Sequence, residues 1–249
     1  MPGIAEELRT DAEKRYGNLM IVFGVLIWLV AIVISMGMVI LYGLLFALFH
    51  LISIAIYRAT AFGNMILLGP RQFPELHSIV EAAARDLGMS ETPKAFLYNS
   101  NGLFNAFARR MFGGQYLFLT SALVDAENDE QVRFVIGHEL GHHAAGHLDP
   151  WMNLIRLPGN LVPFRGLAYS RAREYTCDRI GAHISKDLAA SLSSLQMLGC
   201  GCRRLNQTMD SDAFVAQEAM VPPFFGVISE ICRTHPRLTR RLAAIANRG

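Results

Sequence analysis

Apolar residues follow two regimes along this chain. Between Asn18 and Tyr57 there is no Asp, Glu, Lys or Arg, and Ile, Leu, Val, Phe and Met fill the stretch. At about 1.5 Å of rise per residue, roughly 20 residues cross the hydrocarbon layer, so the run predicts two membrane spans, 19–34 and 38–57, joined by a tight turn at Ser35-Met36-Gly37. A single over-long tilted helix is the alternative. A cleaved signal peptide fits poorly, because the run is too long, acidic residues precede it and no small-residue cleavage site closes it. Beyond Pro70 the apolar positions become periodic. Leu76, Ile79, Val80, Ala83, Ala84 and Leu87 fall at helical spacing over 75–87, with Gly88 as a stop. Extended runs at 95–98, 105–109 and 115–120, the last two separated by Met111-Phe112-Gly113-Gly114, predict a small antiparallel sheet containing a hairpin. Asn128 followed by Gln131 makes a capping-box pattern before a helix through Val132, Phe134, Val135, Ile136, Leu140 and Ala144. More helix is expected at 166–184, 188–198 and 237–246. The fold class is therefore α+β and mainly helical, divided into an N-terminal segment (1–17), a transmembrane hairpin (18–57) and one further domain (58–249).

Composition agrees with that division. Hydrophobic residues make up 52% of the 249 and charged residues 18%, an apolar surplus that the two spans absorb. A net charge of +2, with no basic run interleaved with aromatics, excludes nucleic acid as a partner. Cys177, Cys200, Cys202 and Cys232 form no disulfide framework and read as reduced thiols. Cys200 and Cys202 could join Cys232 in a second metal site, but ordinary thiols are the better reading, since zinc clusters space their cysteines by two to four residues. Lys14 and Arg15 flank one end of the apolar run, and Arg58 and Arg71 the other. The positive-inside bias then places both ends, and everything downstream, in the cytoplasm, with the hairpin in a bacterial-type inner (plasma) membrane and the lipid bilayer as a partner. His50, inside the second span, reads as an interfacial or packing residue.

The chemistry is concentrated at His138-Glu139-Leu140-Gly141-His142. Residues four apart share one face of a helix, so both imidazoles can hold one ion, and the Glu beside the first His can act as general base toward water at the metal. Two histidines and a carboxylate with an open position suit Zn2+. A third His six residues after the second is ruled out, because Leu148 stands there. Glu174 on a later helix is the candidate third ligand, and Asp178, one turn on, can hold the outer nitrogen of a ligand His. The competing reading of Glu174 and Asp178 is a solvated face paired with Arg171, Arg173 and Arg179. His143 and His147 are expected at the surface or behind the ligands.

With these motifs the chain resembles the HtpX-like membrane zinc endopeptidases, a superfamily that includes the type I CAAX prenyl proteases. Asn105-Ala106-Phe107-Ala108 resembles the family strand that runs beside the substrate. The stretch from Ser170-Arg171-Ala172-Arg173-Glu174 to Asp178 resembles its second motif, and Thr234-His235-Pro236 with Arg241 its late motif. The resemblance implies a zincin (gluzincin) domain, Glu174 as third ligand, Asn105 as a holder of substrate backbone, and His235 or Arg241 as a group that stabilises the oxyanion or orders the site. Taken alone, His235-Pro236 is a helix-start signal capped by Thr234. The segment 148–169 departs from the family, which carries a second hydrophobic hairpin there. Here it contains Arg156, Arg165 and three prolines, and can serve as an interfacial element, a lid or a packed loop.

The expected function is hydrolysis of protein or peptide substrates, membrane proteins among them, at the cytoplasmic membrane face. A membrane-anchored metal-binding scaffold, an enzyme for a prenylated C-terminus, and a latent peptidase are the alternatives. For latency, Met220-Val221-Pro222-Pro223-Phe224-Phe225 is the candidate blocking segment, with a buried connector as its plainer role.

Overall fold

The computed structural model describes residues 3–247. A one-turn helix α1 (Ile4–Glu7) precedes two long apolar helices, α2 (Asp11–Ile34) and α3 (Met38–Asn64). Their turn falls where the sequence places it, with Met36 and Gly37 at positive φ, a conformation glycine adopts without steric cost. Both helices overrun the apolar stretch and enter the rest of the protein. Among apolar windows long enough to cross a membrane, that of α2 is 17% buried and that of α3 0% buried, so neither is the core helix of a globular domain.

A small sheet follows, built from β1 (Ile66–Leu67), then, after helix α4 (Pro74–Asp86), β2 (Lys94–Tyr98), β3 (Ala106–Met111) and β4 (Gly114–Thr120), in the order β1-β2-β4-β3. The sheet is mixed rather than antiparallel. Phe112 and Gly113 take positive φ and turn β3 back on β4 as a hairpin, while residues 99–105 carry the chain past β4 to the far edge. β2 therefore lies parallel to β4, with Phe96 opposite Phe118. Alternation within a strand reports which face is buried but not which neighbour it meets. Phe96 and Phe107 stack on either side of Phe118, at ring centroids 5.5 and 4.8 Å. Tyr57 and Phe62 of α3 meet that face edge-on, which fixes the second apolar helix to the sheet. Ala95, Leu97, Leu117 and Leu119 face the opposite way into the main core.

Helix α5 (Ser121–Ala126) leads to α6 (Asp129–Ala144), whose capping box forms as expected, with Asn128 and Gln131 bonding each other's backbone N–H. Helix α7 (Pro150–Arg156) and a 3-10 turn (Leu157–Leu161) occupy the 148–169 segment and lie along α2, where Trp28 Nε1 donates to Leu154 O at 2.9 Å. Helix α8 (Arg165–Ser185) packs on α6 at very short range. A Cβ on Gly137 would stand 2.8 Å from Ile184 Cβ, and one on Gly181 2.8 Å from Phe134 O. That closeness lets side chains of the two helices share one ion-sized space. Helices α9 (Leu188–Cys200), α10 (Arg203–Asn206), α11 (Ser211–Ala216), α12 (Pro223–Ile231) and α13 (Leu238–Ala246) complete the chain. Phe134, Leu195, Leu242 and Ile245 join α6, α9 and α13 in a further core. Arg237, not Thr234, stands at the cap position of α13, and Thr234 Oγ1 instead meets His235 Nδ1 at 2.9 Å.

Candidate metal centre

His138 and His142 project from one face of α6 toward Glu174 of α8. His138 Nε2 stands 3.6 Å from Glu174 Oε2, and His142 Nε2 3.8 Å from Glu174 Oε1. The three donors all lie within 4.8 Å of one another. Ligands 2.0–2.1 Å from a tetrahedral ion stand about 3.3 Å apart, so small side-chain movements bring this set onto a metal. Asp178 sits behind, its Oδ1 3.0 Å from His138 Nδ1, close enough for an ion pair though off the line of a hydrogen bond. Arg241 of α13 grips Asp178 with both ends of its fork, Nε to Oδ2 at 2.8 Å and Nη2 to Oδ1 at 2.6 Å, and its Nη2 lies 3.6 Å from Glu174 Oε2.

The charges explain what the site is suited to hold. Burial opposes a charge on His138, but Asp178 and Glu174 outweigh it and raise its pKa to about 10. Burial would push Glu174 up, yet His138 and Arg241 hold it far below the usual carboxylate range. Burial and the neighbouring His138 push His142 well down, leaving a neutral imidazole with a free lone pair. Two buried carboxylates thus face one guanidinium, and the remaining negative charge attracts a proton on His138 or a cation in its place. The donor set fits a divalent metal ion.

Glu139, next to the first histidine, opens on a cleft of about 640 Å³. Burial raises its carboxyl above the usual value, with the Ala108 backbone among the groups that partly offset this. The cleft is also bordered by Asn105, His235 and Arg241, so it brings together the remaining sequence candidates. Asn105 stands at the start of β3, its backbone tied to Thr120 by bonds of 3.1 and 3.2 Å. β3 is an edge strand of the sheet. His235 is 63% exposed, with Nε2 3.6 Å from Glu174 Oε2, whereas Arg241 is 6% exposed and committed to the two carboxylates. None of residues 220–225 borders the cleft, and Met220, Phe224 and Phe225 lie exposed, so the segment is neither a plug nor a buried connector. Cys200, Cys202 and Cys232 belong to no metal-capable group among the described residues.

Comparison with known proteins agrees with this architecture. The model for Peptidase family M48 matches residues 70–157 and 151–249. The chain belongs to peptidase family M48. A "Protease HtpX homolog" of Pyrobaculum islandicum is 26% identical over 256 residues, covering 77% of the M48 chain and 73% of that protein. The "Plastoglobule-localized metallopeptidase 48, chloroplastic" of Arabidopsis thaliana is 26% identical over 170 residues, 62% of this chain. The chain spans only 48% of the Arabidopsis protein's length. The crystal structure of S. mikatae Ste24p shares the fold with a TM-score of 0.53 at 19% identity, covering 85% of this chain and 57% of that one.

Behind the donors of the M48 chain lie His147, whose place the sequence left open, and Glu13, which the sequence did not single out. His147, expected at the surface or behind the ligands, is fully buried, and Glu13 of α2 is buried against it. Their separation of 134 positions hides the pair. A signal was present in the spacing of Glu13, Gly17, Met20 and Gly24, which lie on one buried face of α2. His143, also buried, places Nε2 3.0 Å from Tyr116 O and so ties α6 to the sheet.

Proposed function

We propose that this chain is a membrane-anchored zinc endopeptidase in which His138, His142 and Glu174 hold Zn2+ and Glu139 is the general base. The observation that carries the reading is the convergence of two imidazoles and a carboxylate within 4.8 Å, beside a cleft that also exposes Glu139. Zinc bound there would supply Lewis acidity, lowering the pKa of water and polarising a peptide carbonyl. Glu139 takes the proton of the attacking water and passes it to the leaving amine. Asp178, held by Arg241, orients His138. His235, exposed at the cleft, is placed to donate to the oxyanion, and Arg241 orders the carboxylates. A substrate segment lies extended along the open edge of β3 with Asn105 holding its backbone, and Phe134, Leu195 and Leu198 form an apolar wall for a side chain.

The hairpin supports a division into residues 1–17, the membrane layer 18–57 and the peptidase domain 58–249. Both flanks of the hairpin join the same body, and the basic residues beside them support a reading with that body on the cytoplasmic side of an inner membrane. Substrates are then proteins or peptides reached from that face, membrane proteins included. Cleavage of casein by the detergent-purified, zinc-loaded chain, absent in Glu139→Gln with metal retained, is the expected result. Equal cleavage by both proteins would remove Glu139 from the reaction, and no cleavage by either would favour a scaffold or a narrower substrate.

A further inference from the structure

Behind His142, away from the cleft, a row of side chains from separate elements makes contacts that the proposed reaction does not use. His142 Nδ1 stands 3.0 Å from His147 Nδ1. His147 Nε2 stands 3.0 Å from Glu13 Oε1, with both side chains 1% exposed. Glu13 lies in the first turn of α2, the first of the two apolar helices. That turn is fastened to the domain around it. Thr10 N donates to Thr176 Oγ1 at 3.1 Å and Thr10 Oγ1 to Ala172 O at 3.4 Å, while Arg9 Nη2 donates to Ala145 O just past the end of α6.

Proton bookkeeping along this row has one consistent solution. An ionised carboxylate only accepts, so Glu13 draws the proton of a neutral His147 onto Nε2 and leaves His147 Nδ1 as a lone pair. Two ring nitrogens 3.0 Å apart share one proton, so His142 must carry its own on Nδ1. His142 Nε2, the atom facing Glu174, is then a lone pair aimed into the donor set. We infer that Glu13 and His147 are positioning residues that fix the tautomer and ring orientation of His142 as a metal ligand, so that the first apolar helix is part of the metal centre. The inference rests on the reading of His142 as a ligand.

The same atoms admit one rival arrangement, since Cys177 Sγ lies 3.6 Å from His147 Nδ1 and the trio His142, His147 and Cys177 could itself hold an ion. The nitrogens are closer than the separation of about 3.3 Å that tetrahedral ligands keep, and burial pushes the Cys177 thiol well up, which keeps it protonated. A hydrogen bond is the better description.

The test measures zinc affinity by chelator competition, and the visible spectrum of the Co2+ form, on the full chain in detergent. Glu13→Ala and His147→Ala are expected to weaken zinc binding about 10–100-fold. His147→Gln offers a carbonyl oxygen to His142 Nδ1–H and should recover most of that loss. Thermal melting of the metal-free proteins identifies folded variants, and the Ala-to-Gln comparison at position 147 holds the argument if Glu13→Ala does not fold. Alanine variants that bind zinc within twofold of wild type, or a Gln variant as weak as Ala, would overturn the inference. If wild-type binding depends on Glu174 while Glu13 and His147 are dispensable, only this inference falls. If the wild type binds no zinc, or Glu174→Ala binds it as well as wild type does, the ligand reading falls too.

Discussion

The two histidines of α6 are one turn apart, yet they are backed in different ways. His138 meets Asp178 directly at 3.0 Å, and Asp178 is neutralised by the Arg241 fork, so its support comes wholly from α8 and α13. His142 reaches its carboxylate through a second imidazole, and that carboxylate, Glu13, comes from the apolar helix α2, with Arg9 Nη1 3.6 Å away. One support is short and internal to the domain, and the other is longer and borrowed from the anchor. The difference teaches that the anchor helices are not equivalent. α3 contributes aromatic packing to the sheet, whereas α2 contributes polar groups to the centre.

The direct arm should be the harder to break without unfolding. Asp178→Asn leaves the Arg241 guanidinium buried beside only Glu174, and removing one partner of a buried pair costs about 3–5 kcal/mol. A large drop in the melting temperature of the chelator-treated protein is expected, and zinc analysis should show the metal lost as well.

Another buried carboxylate sharpens the contrast, because among the described residues no cation pairs with it. Glu127 accepts from Ser194 Oγ at 2.9 Å, and burial raises its pKa from 4.5 to about 8. Its folded value lies above its unfolded one, so the folded state binds the extra proton. Its stabilising effect is therefore complete below about pH 4.5 and is lost as pH rises through about 8, a decline of about 5 kcal/mol at most. Denaturation of Glu127→Gln across that window should lack this slope, and an unchanged slope would show that Glu127 is ionised in the fold.

The smallest effect falls on the borrowed arm. Thr176→Val removes the acceptor for Thr10 N and loosens the first turn of α2, for about 1 kcal/mol. Hydrogen exchange in residues 9–17 should rise while exchange in α6 does not.

How much of this was legible follows from the range over which each feature is encoded. The turn at Met36-Gly37, the capping box at Asn128 and the histidine pair on α6 are written within a few positions, and local rules read them. Glu174 and Asp178 were readable as a pair one turn apart and as candidate partners of the α6 histidines, and the resemblance added the motif around them. The parallel β2–β4 pair was not readable, since alternation carries no information about neighbours. α7 and α12 were also missed, being short helices with apolar residues turned outward. Glu13 looked like an ordinary residue before a membrane span, because its burial arises only when α2 packs on α8 through Gly17, whose Cβ would stand 3.2 Å from Tyr169.

The central claim is that two histidines and Glu174 hold the metal. Zinc content of the purified full chain, measured beside Glu174→Ala and Glu139→Gln, tests it most directly. One zinc per wild-type chain, the same in Glu139→Gln and none in Glu174→Ala, is the predicted result. Wild-type zinc content in Glu174→Ala would contradict it.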